Sequence, residues 1–566
     1  MKKSLQYPEK FFFIFILVFG SLITFLIPMG AGMDEEAHLS RIWEMSSGEL
    51  LPNKYLEAGP NYPCVFISNS YITDPFYTPI DIQKWIHSFN DHIDWANFCD
   101  YRTRARYFPS LYILQAFIMG ISGRIFNFPV PIIYYLIRLS YLFLYSLIIM
   151  FSVKTIPFGK WILGILSISP TALIQASIIN PESLNNGISF LFIAWVIYIV
   201  SNDHEIKEKE WLITAFLVLL ICTLKPNTMI LLLLLLLIPK SKIINKKYFV
   251  IFSIIGIISI LLISLGWNFL TSSNLLTTNI DDSLSVKSQI QRNLENPSLF
   301  LTSIIYSLEH HFFEYVQDSV GSTGYNYWQL PGILYWMYFL LIIFVFLIEG
   351  NNRLIKPKHR LFFLADNLAA NLSIIAIFFI LYNNPGSLEI PGIAGRYFVF
   401  SSPLLFIGFL PEKPLIKLST LWIKTLSVIT ALVFTLVLFF SYHVYCGNAI
   451  FFSRSCYLPR YRNWSLETAK LYLIKTEDKI EQTFVSRCNQ LSGVALFSKN
   501  LNSNTIPTLE LFDNFGRVIT VKYIGATEIA TGETRIDYSL ESVTPSLNKK
   551  YSITINSPSN AAWVLL

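Results

Sequence analysis

The sequence predicts an α-helical polytopic membrane protein of about eleven spans, followed by a small C-terminal β-sandwich. Three observations carry that reading. Of the 566 residues, 53% are hydrophobic and 14% charged, where a soluble protein carries roughly 25% charged residues. Apolar runs recur between residues 11 and 441. From Tyr442 onward the pattern turns to short alternating segments separated by turn signals. The formal net charge of +6 does not point to nucleic acid, because Lys and Arg fall in short loops between apolar runs, where they set topology.

The first run, Phe11 to Met29, follows Met1-Lys2-Lys3 and imitates a signal peptide. A signal core is about 7–15 residues long. This run is longer and no small-residue cleavage site follows closely, so it reads as a retained helix with its N-terminus inside. Further runs lie at 131–153, 160–178, 184–200, 211–224, 226–238, 249–267, 331–348, 361–382, 396–410 and 424–441. Lys240, Lys242, Lys246 and Lys247 mark one inside loop. Arg353, Lys356, Lys358 and Arg360 mark a second, and Lys413, Lys417 and Lys424 a third. These signs agree only if the stretch Tyr107 to Gly120 does not cross. It is short, begins Phe108-Pro109-Ser110 and follows Arg102, Arg104 and Arg106, so it reads as a helix in the outer interface. A transmembrane domain, residues 1–441, then has outer loops at 30–130 and 268–330, and residues 442–566 lie outside.

Runs 211–224 and 226–238 span only about 20 Å each at 1.5 Å per residue, against a hydrocarbon core of roughly 30 Å. Lys225-Pro226-Asn227 joins them, and proline breaks a helix there. They read either as a hairpin with Lys225 at a tip inside the membrane, or as two tilted, longer helices. In the last region 480–484, 508–512, 535–540 and 551–555 alternate as strands. Asp513-Asn514-Phe515-Gly516 is a turn between two of them, and a short helix is expected near Leu466 to Glu477. Of six cysteines, Cys64 and Cys99 share the first outer loop and are the favoured disulfide. Among Cys446, Cys456 and Cys488 the sequence cannot choose partners.

Candidate chemistry starts at Met33-Asp34-Glu35-Glu36-Ala37-His38, where three carboxylates and an imidazole follow the first helix. Acids that close to hydrocarbon usually mark a site or a wet cavity. On a helix Asp34 and His38 share a face. A carboxylate there can be a general base toward a hydroxyl, or with another oxygen hold a divalent cation, with Asp34 and Glu36 as the ligands and magnesium or manganese as the ion. The plainer alternative is a set of solvated acids capping an interfacial helix. Asn180-Pro181-Glu182-Ser183 makes a polar break at the outer mouth; it also fits a simple helix-start turn. Gly395-Arg396-Tyr397 puts an arginine at an outer mouth, against the inside bias. Arginine suits bidentate contact with phosphate, and it can also snorkel to lipid head groups. Lys225 and Arg106 are further cations near the membrane. Glu309-His310-His311 with Glu314 is better read as a helical surface than as a metal set. No Walker loop or GxGxxG is present, so ATP-driven transport has no support.

Residues 10–440 resemble a bacterial family of multispanning membrane proteins of unknown function, related to the GT-C glycosyltransferases. The likeness rests on Met33 to His38, the turn Asn180 to Asn186, Leu224-Lys225-Pro226, the stretch Gly321 to Pro331, and Gly395-Arg396-Tyr397-Phe398. The family pattern usually has proline where Met33 stands and aspartate where Glu182 stands. The C-terminal region is similar to β-sandwich appendages of bacterial membrane glycosyltransferases. The resemblance implies a GT-C-like fold in the bacterial inner membrane, with the active site and C-terminal domain extracytoplasmic. It implies transfer of a sugar from a polyprenyl-phosphate-linked donor to a glycan or lipid-linked acceptor, with inversion. In that reading Asp34 is the catalytic acid or base, with Glu35 as its nearest substitute. Arg396, Lys225 and Arg106 hold the lipid phosphate, and His38, Glu182 and Tyr397 line the substrate. Two other functions share these features: a transporter or flippase of lipid-linked sugars, and a polysaccharide polymerase or ligase. The first would need alternating access, and no inverted repeat is visible.

Overall fold

A computed structural model describes residues 7–51, 62–69, 82–99, 107–243, 250–251, 254, 256, 258–272, 286–323, 328–351, 354–383, 388–390, 392–416, 420–446, 471–474, 479–486, 491–499, 508–529, 533–543, 546, 549–556 and 561–564. The chain divides into two compact units, with the boundary between Ser441 and Tyr442. The first unit is mostly helical and the second is built of strands.

The helical unit runs α1 Pro8–Leu26, α2 Glu35–Ser46, α3 Ile113–Met119, α4 Val130–Thr155, α5 Lys160–Ser167, α6 Pro170–Ala176, α7 Glu182–Ser201 and α8 Glu208–Cys222. It continues with α9 Val286–Glu295, α10 Ser298–Val320, α11 Gly332–Ile348, α12 Pro357–Tyr382, α13 Ser402–Phe409 and α14 Thr420–Cys446. Tight 3-10 helices occupy Pro226–Leu237 and Gly395–Ser401. Among the described residues four helices are long and apolar enough to cross a membrane: Pro8–Leu26, Val130–Thr155, Glu182–Ser201 and Pro357–Leu381. Gly332–Ile348 and Thr425–Ser441 are shorter apolar helices.

The run 160–178 is not one continuous helix. It breaks between α5 and α6, because the residue before a proline is pushed out of the helical region. Ser169 there is extended, precedes Pro170, and caps α6 by accepting from the Ala172 amide (3.2 Å). The 395–401 segment likewise gives way to α13 at Ser402. Lys225, extended, joins the 226–237 segment to the turn after α8. The stretch from Pro109 buries Gln115, Ala116 and Met119 and leaves the apolar Ile113, Phe117, Ile125 and Phe126 exposed. The region 268–330 contains α10, whose buried face is Ser303, Ile304, Ser307, Tyr315, Asp318 and Val320.

Two short strands, β1 Tyr62–Pro63 and β2 Phe98–Cys99, pair antiparallel beside the Cys64–Cys99 disulfide, as the sequence suggested for those cysteines. A second small pair is β3 Ser322–Thr323 with β4 Trp328–Gln329.

In the other unit the strands are β5 Leu471–Ile474, β6 Lys479–Val485, β7 Leu491–Lys499, β8 Thr508–Phe512, β9 Val518–Ile519, β10 Val521–Ile529, β11 Glu533–Val543, β12 Lys550–Asn556 and β13 Ala561–Val564. They form two antiparallel sheets, ordered β10-β11-β7-β13-β5 and β6-β12-β8-β9. Leu496, Ile536 and Tyr538 of the first sheet share one apolar core with Leu509, Leu511, Ile553 and Ile555 of the second. Alternation places these residues on one face of each strand. The 513–516 turn joins β8 to β9: Asp513 Oδ1 accepts the amides of Phe515 and Arg517 (both 2.9 Å), and Gly516 takes φ 77°. The helix expected near Leu466 to Glu477 is corrected: its described part, Leu471–Ile474, is a strand paired with Ala561–Val564. Leu-Tyr-Leu-Ile is as good a strand as a helix by composition, and the partner ninety residues on decides. Cys456 and Cys488 lie outside the described residues.

Candidate functional site

The site is assembled where α1 ends. A helix leaves its last carbonyls without intrahelical partners. Here Arg138, from the middle of the apolar run of α4, supplies them. Its Nη1 donates to the carbonyls of Thr24 (2.8 Å) and Ile27 (2.6 Å), and its Nη2 to Pro28 (2.8 Å). The remaining two donors, Nε and Nη2, grip the Glu35 carboxylate at 2.6 Å each. A guanidinium has five N–H groups, and all five are used. Glu35 also accepts the amides of Ile179 (2.8 Å) and Gly32 (3.1 Å). One ion pair therefore ties α1, α2, α4 and the turn before α7 together.

This corrects the place of Glu35. Its carboxylate is 0% exposed and has about four lone-pair positions, all occupied, so it cannot stand in for Asp34 toward a substrate. Glu36 is buried too, and accepts from Tyr62 Oη (2.8 Å) and Tyr134 Oη (3.2 Å). Those hydroxyls occupy it, which argues against Glu36 as a metal ligand beside Asp34. Among the described residues no group of three or more His, Cys, Asp or Glu could hold a metal ion.

Burial pushes the Glu36 carboxyl up to about 8, the nearby Glu35 charge adds to it, and the tyrosine hydroxyls oppose it. In the unfolded chain the group ionises near the ordinary value, 4.5. Between those values the folded state holds a proton that the unfolded state has lost, so stability falls as pH rises from about 4.5 to about 8. Glu36→Gln, which is neutral throughout, is expected to flatten that slope and to be the more stable protein at pH 8. Thermal unfolding of both proteins across that range checks it.

Asp34 differs from its neighbours. It is the residue before α2, has the left-handed backbone (φ 55°), and is half-buried. A non-glycine residue there is uncommon, aspartate being among those that tolerate it, and such conformations cluster at functional sites. Its side chain makes no capping bond to α2; its carbonyl receives the His38 amide (3.1 Å). His38 is buried, with Nδ1 2.9 Å from Tyr112 Oη and its ring 5.3 Å from that of Tyr107.

Across from α2, the turn 179–182 opens α7. Asn180 Nδ2 donates to the Met33 carbonyl (3.3 Å), and Asn180 Oδ1 accepts the Glu182 amide (2.8 Å). Glu182 Oε1 is ion-paired with Lys225 and accepts from Tyr107 Oη (3.3 Å). Lys225 Nζ lies 4.5 Å from the centre of the Tyr397 ring and 5.5 Å from that of Tyr107, within cation–π range. Tyr397 carries Arg396 as well: the guanidinium is 4.7 Å from its ring centre, and Nη2 donates to its hydroxyl (2.9 Å). The carboxylates acting on Arg396 are Asp34, Glu182 and Asp318.

Arg396 is aimed by a close helix contact. A Cβ on Gly395 would lie 2.0 Å from the Tyr315 carbonyl oxygen and 2.6 Å from both the Ser319 amide and Asp318 Cβ of α10. Only glycine lets the backbones approach that far. Gly395→Ala must move the segment that carries Arg396 off α10; overpacking of this kind costs about 1–3 kcal/mol. The expected result is a lower unfolding temperature for Gly395→Ala, read from melting curves.

Thus Asp34, His38, Glu182, Lys225, Arg396 and Tyr397 meet in one place, although they are drawn from four parts of the chain. Arg106 lies outside the described residues. Residues the sequence reading missed are Arg138, Tyr62, Tyr107, Tyr112, Tyr134 and Asp318. Arg138 did leave a signal: it is the arginine inside the run 131–153. The His310-His311 pair stays apart from this cluster. His311 bonds Glu314 (3.0 Å) and faces Glu389 (3.6 Å), and those contacts hold its imidazole up at about 9.

Four crossing-length apolar helices among the described residues, two of them joined by a buried, fully paired Glu–Arg brace, have the make-up of a multispanning membrane protein. The chain belongs to the DUF2142 family, described as a predicted membrane protein, whose pattern covers residues 17–406. No curated protein matches the chain, and no solved structure does.

Proposed function

We propose that the protein is a membrane glycosyltransferase. It would move a sugar from a polyprenyl-phosphate-linked donor to a cell-envelope glycan or other acceptor, on the extracytoplasmic face of the bacterial inner membrane. The observation that carries this reading is the meeting of a half-buried carboxylate, Asp34, with two cations, Lys225 and Arg396, that share the Tyr397 ring. Transfer needs a base at one side of the anomeric carbon and cations at the other.

In this reading the Asp34 carboxylate takes the proton of the acceptor hydroxyl. The freed oxygen bonds to the anomeric carbon with inversion as the carbon–oxygen bond to phosphate breaks. The electron pair leaves on the phosphate, where Arg396 and Lys225 stabilise it. Arg396 spends one donor on Tyr397, and its planar fork suits phosphate oxygens. Glu182 keeps Lys225 neutralised until an anion arrives. Tyr107 and Tyr397 hold Lys225 in place through their rings.

The test uses purified protein in detergent with a sugar on polyprenyl phosphate and an acceptor. Release of polyprenyl phosphate with one sugar moved to the acceptor supports the proposal. If no donor lipid is consumed in detergent, yet the lipid changes leaflet in vesicles containing the protein, the transporter reading replaces it. Transfer of an oligosaccharide block would make it a polymerase or ligase.

A further inference from the structure

We infer that Asp366 is a proton-binding site inside the helical unit, distinct from the Asp34 cluster. Asp366 lies in α12, one of the helices long and apolar enough to cross a membrane. It stands nine residues from the start of that helix at Pro357 and sixteen from its end at Tyr382. At 1.5 Å per residue that is about 13 Å from one end and about 24 Å from the other, within the apolar depth of a bilayer. The side chain is 3% exposed, and among the described residues neither carboxylate oxygen has a hydrogen-bond partner.

A carboxylate in that position needs a ligand, because an unpaired buried charge is far costlier than a neutral group. A metal cation would demand several oxygen ligands, and no group of three or more His, Cys, Asp or Glu suited to a metal exists among the described residues. A proton needs none. The charged and titratable groups on the elements packed against α12 stand elsewhere. The 226–237 segment and α13 carry none. On the 395–401 segment Arg396 and Tyr397 are bonded to each other, and Tyr397 meets Phe378, twelve residues beyond Asp366. Arg292 and Glu295 belong to α9, and α10 meets the far end of α12, where Phe300 packs on Phe379 thirteen residues beyond Asp366. At the opposite end of α12 stand Lys358, His359 and Arg360, with Lys356 just before the helix.

His359 is a second buried titratable group on α12. It is seven residues from Asp366, two turns along the same face of α12, is 7% exposed, and its Nδ1 has no partner among the described residues. Lys356 and Lys358 beside it are exposed. On the other side Asp366 adjoins Asn367, whose Nδ2 donates to the Ser401 carbonyl (2.9 Å) and hydroxyl (3.1 Å); that hydroxyl donates to Asn371 Oδ1 (3.0 Å). Ser401 closes the segment that begins with Gly395 and Arg396. A proton moving on or off Asp366 is therefore next to the polar contacts that seat that segment.

The test is infrared spectroscopy of the full chain in nanodiscs, with the side-chain carboxyl carbon of aspartate isotope-labelled. The expected spectrum of the labelled protein at pH 7 has a protonated-carboxyl band shifted by the label, which separates it from any glutamate such as Glu36. That labelled band disappears in Asp366→Asn. Asp366→Glu, which keeps an acid there, replaces it with an unlabelled one. If Asp366→Asn fails to fold, the Asp366→Glu protein still decides. No aspartate band at pH 7 in the labelled wild type, or an aspartate band that persists unchanged in both variants, overturns the inference.

Discussion

Asp34→Asn is expected to lower sugar transfer by about 10²–10⁴-fold, the usual contribution of a positioned general base, while expression and melting temperature stay at the wild-type level. The reason for choosing Asp34 over its neighbours is geometric. Glu35 is held by Arg138 and two backbone amides, and Glu36 by two tyrosine hydroxyls. Asp34 alone of the three is half-buried, and its carboxylate acts on Arg396. The amide keeps the shape and the left-handed backbone, which asparagine tolerates as well as aspartate. It cannot accept a proton from a hydroxyl. A fall in kcat at nearly constant affinity for the donor lipid identifies a group acting in the transition state. Equal turnover of Asp34→Asn and wild type would remove Asp34 from the chemistry.

The sequence made much of this site readable, for a physical reason. Charged residues at the ends of apolar runs are costly, so Asp34, Glu182, Lys225 and Arg396 stood out against their surroundings without any knowledge of the fold. Alternation and a turn likewise exposed the strands β6, β8, β11 and β12. What the sequence could not show was which acid of the three is only half-buried. Adjacent residues on a helix point about 100° apart, and their partners, Arg138 and Tyr62, lie far along the chain. Tyr107 and Tyr112 carried no signal, since tyrosine is common near membrane interfaces. Leu471–Ile474 was misjudged because strand pairing with 561–564 is a long-range fact. Pro170 marks the break in the 160–178 run, since the residue before a proline leaves the helical region.

The second large effect is predicted at Arg138. Arg138→Met should destabilise the helical unit by about 3–5 kcal/mol, the range seen when one partner of a buried ion pair is removed. The loss has two parts. Glu35 is left as a buried charge with only backbone amides for company, and the carbonyls of Thr24, Ile27 and Pro28 lose their donors at the end of α1. Arg138→Lys keeps the charge but has three donors on one nitrogen, so it cannot span the carboxylate and the three carbonyls at once. It should recover part of the stability and no more. The informative protein is the double variant Glu35→Gln with Arg138→Met. With the buried charge gone, it should be more stable than Arg138→Met alone, and the non-additivity measures the pairing itself. Melting curves in detergent read these three variants, the wild type and Glu35→Gln alone, which completes the cycle. If Arg138→Met melts like the wild type, the brace does not hold α1 to α2, and Asp34 owes its position to something else.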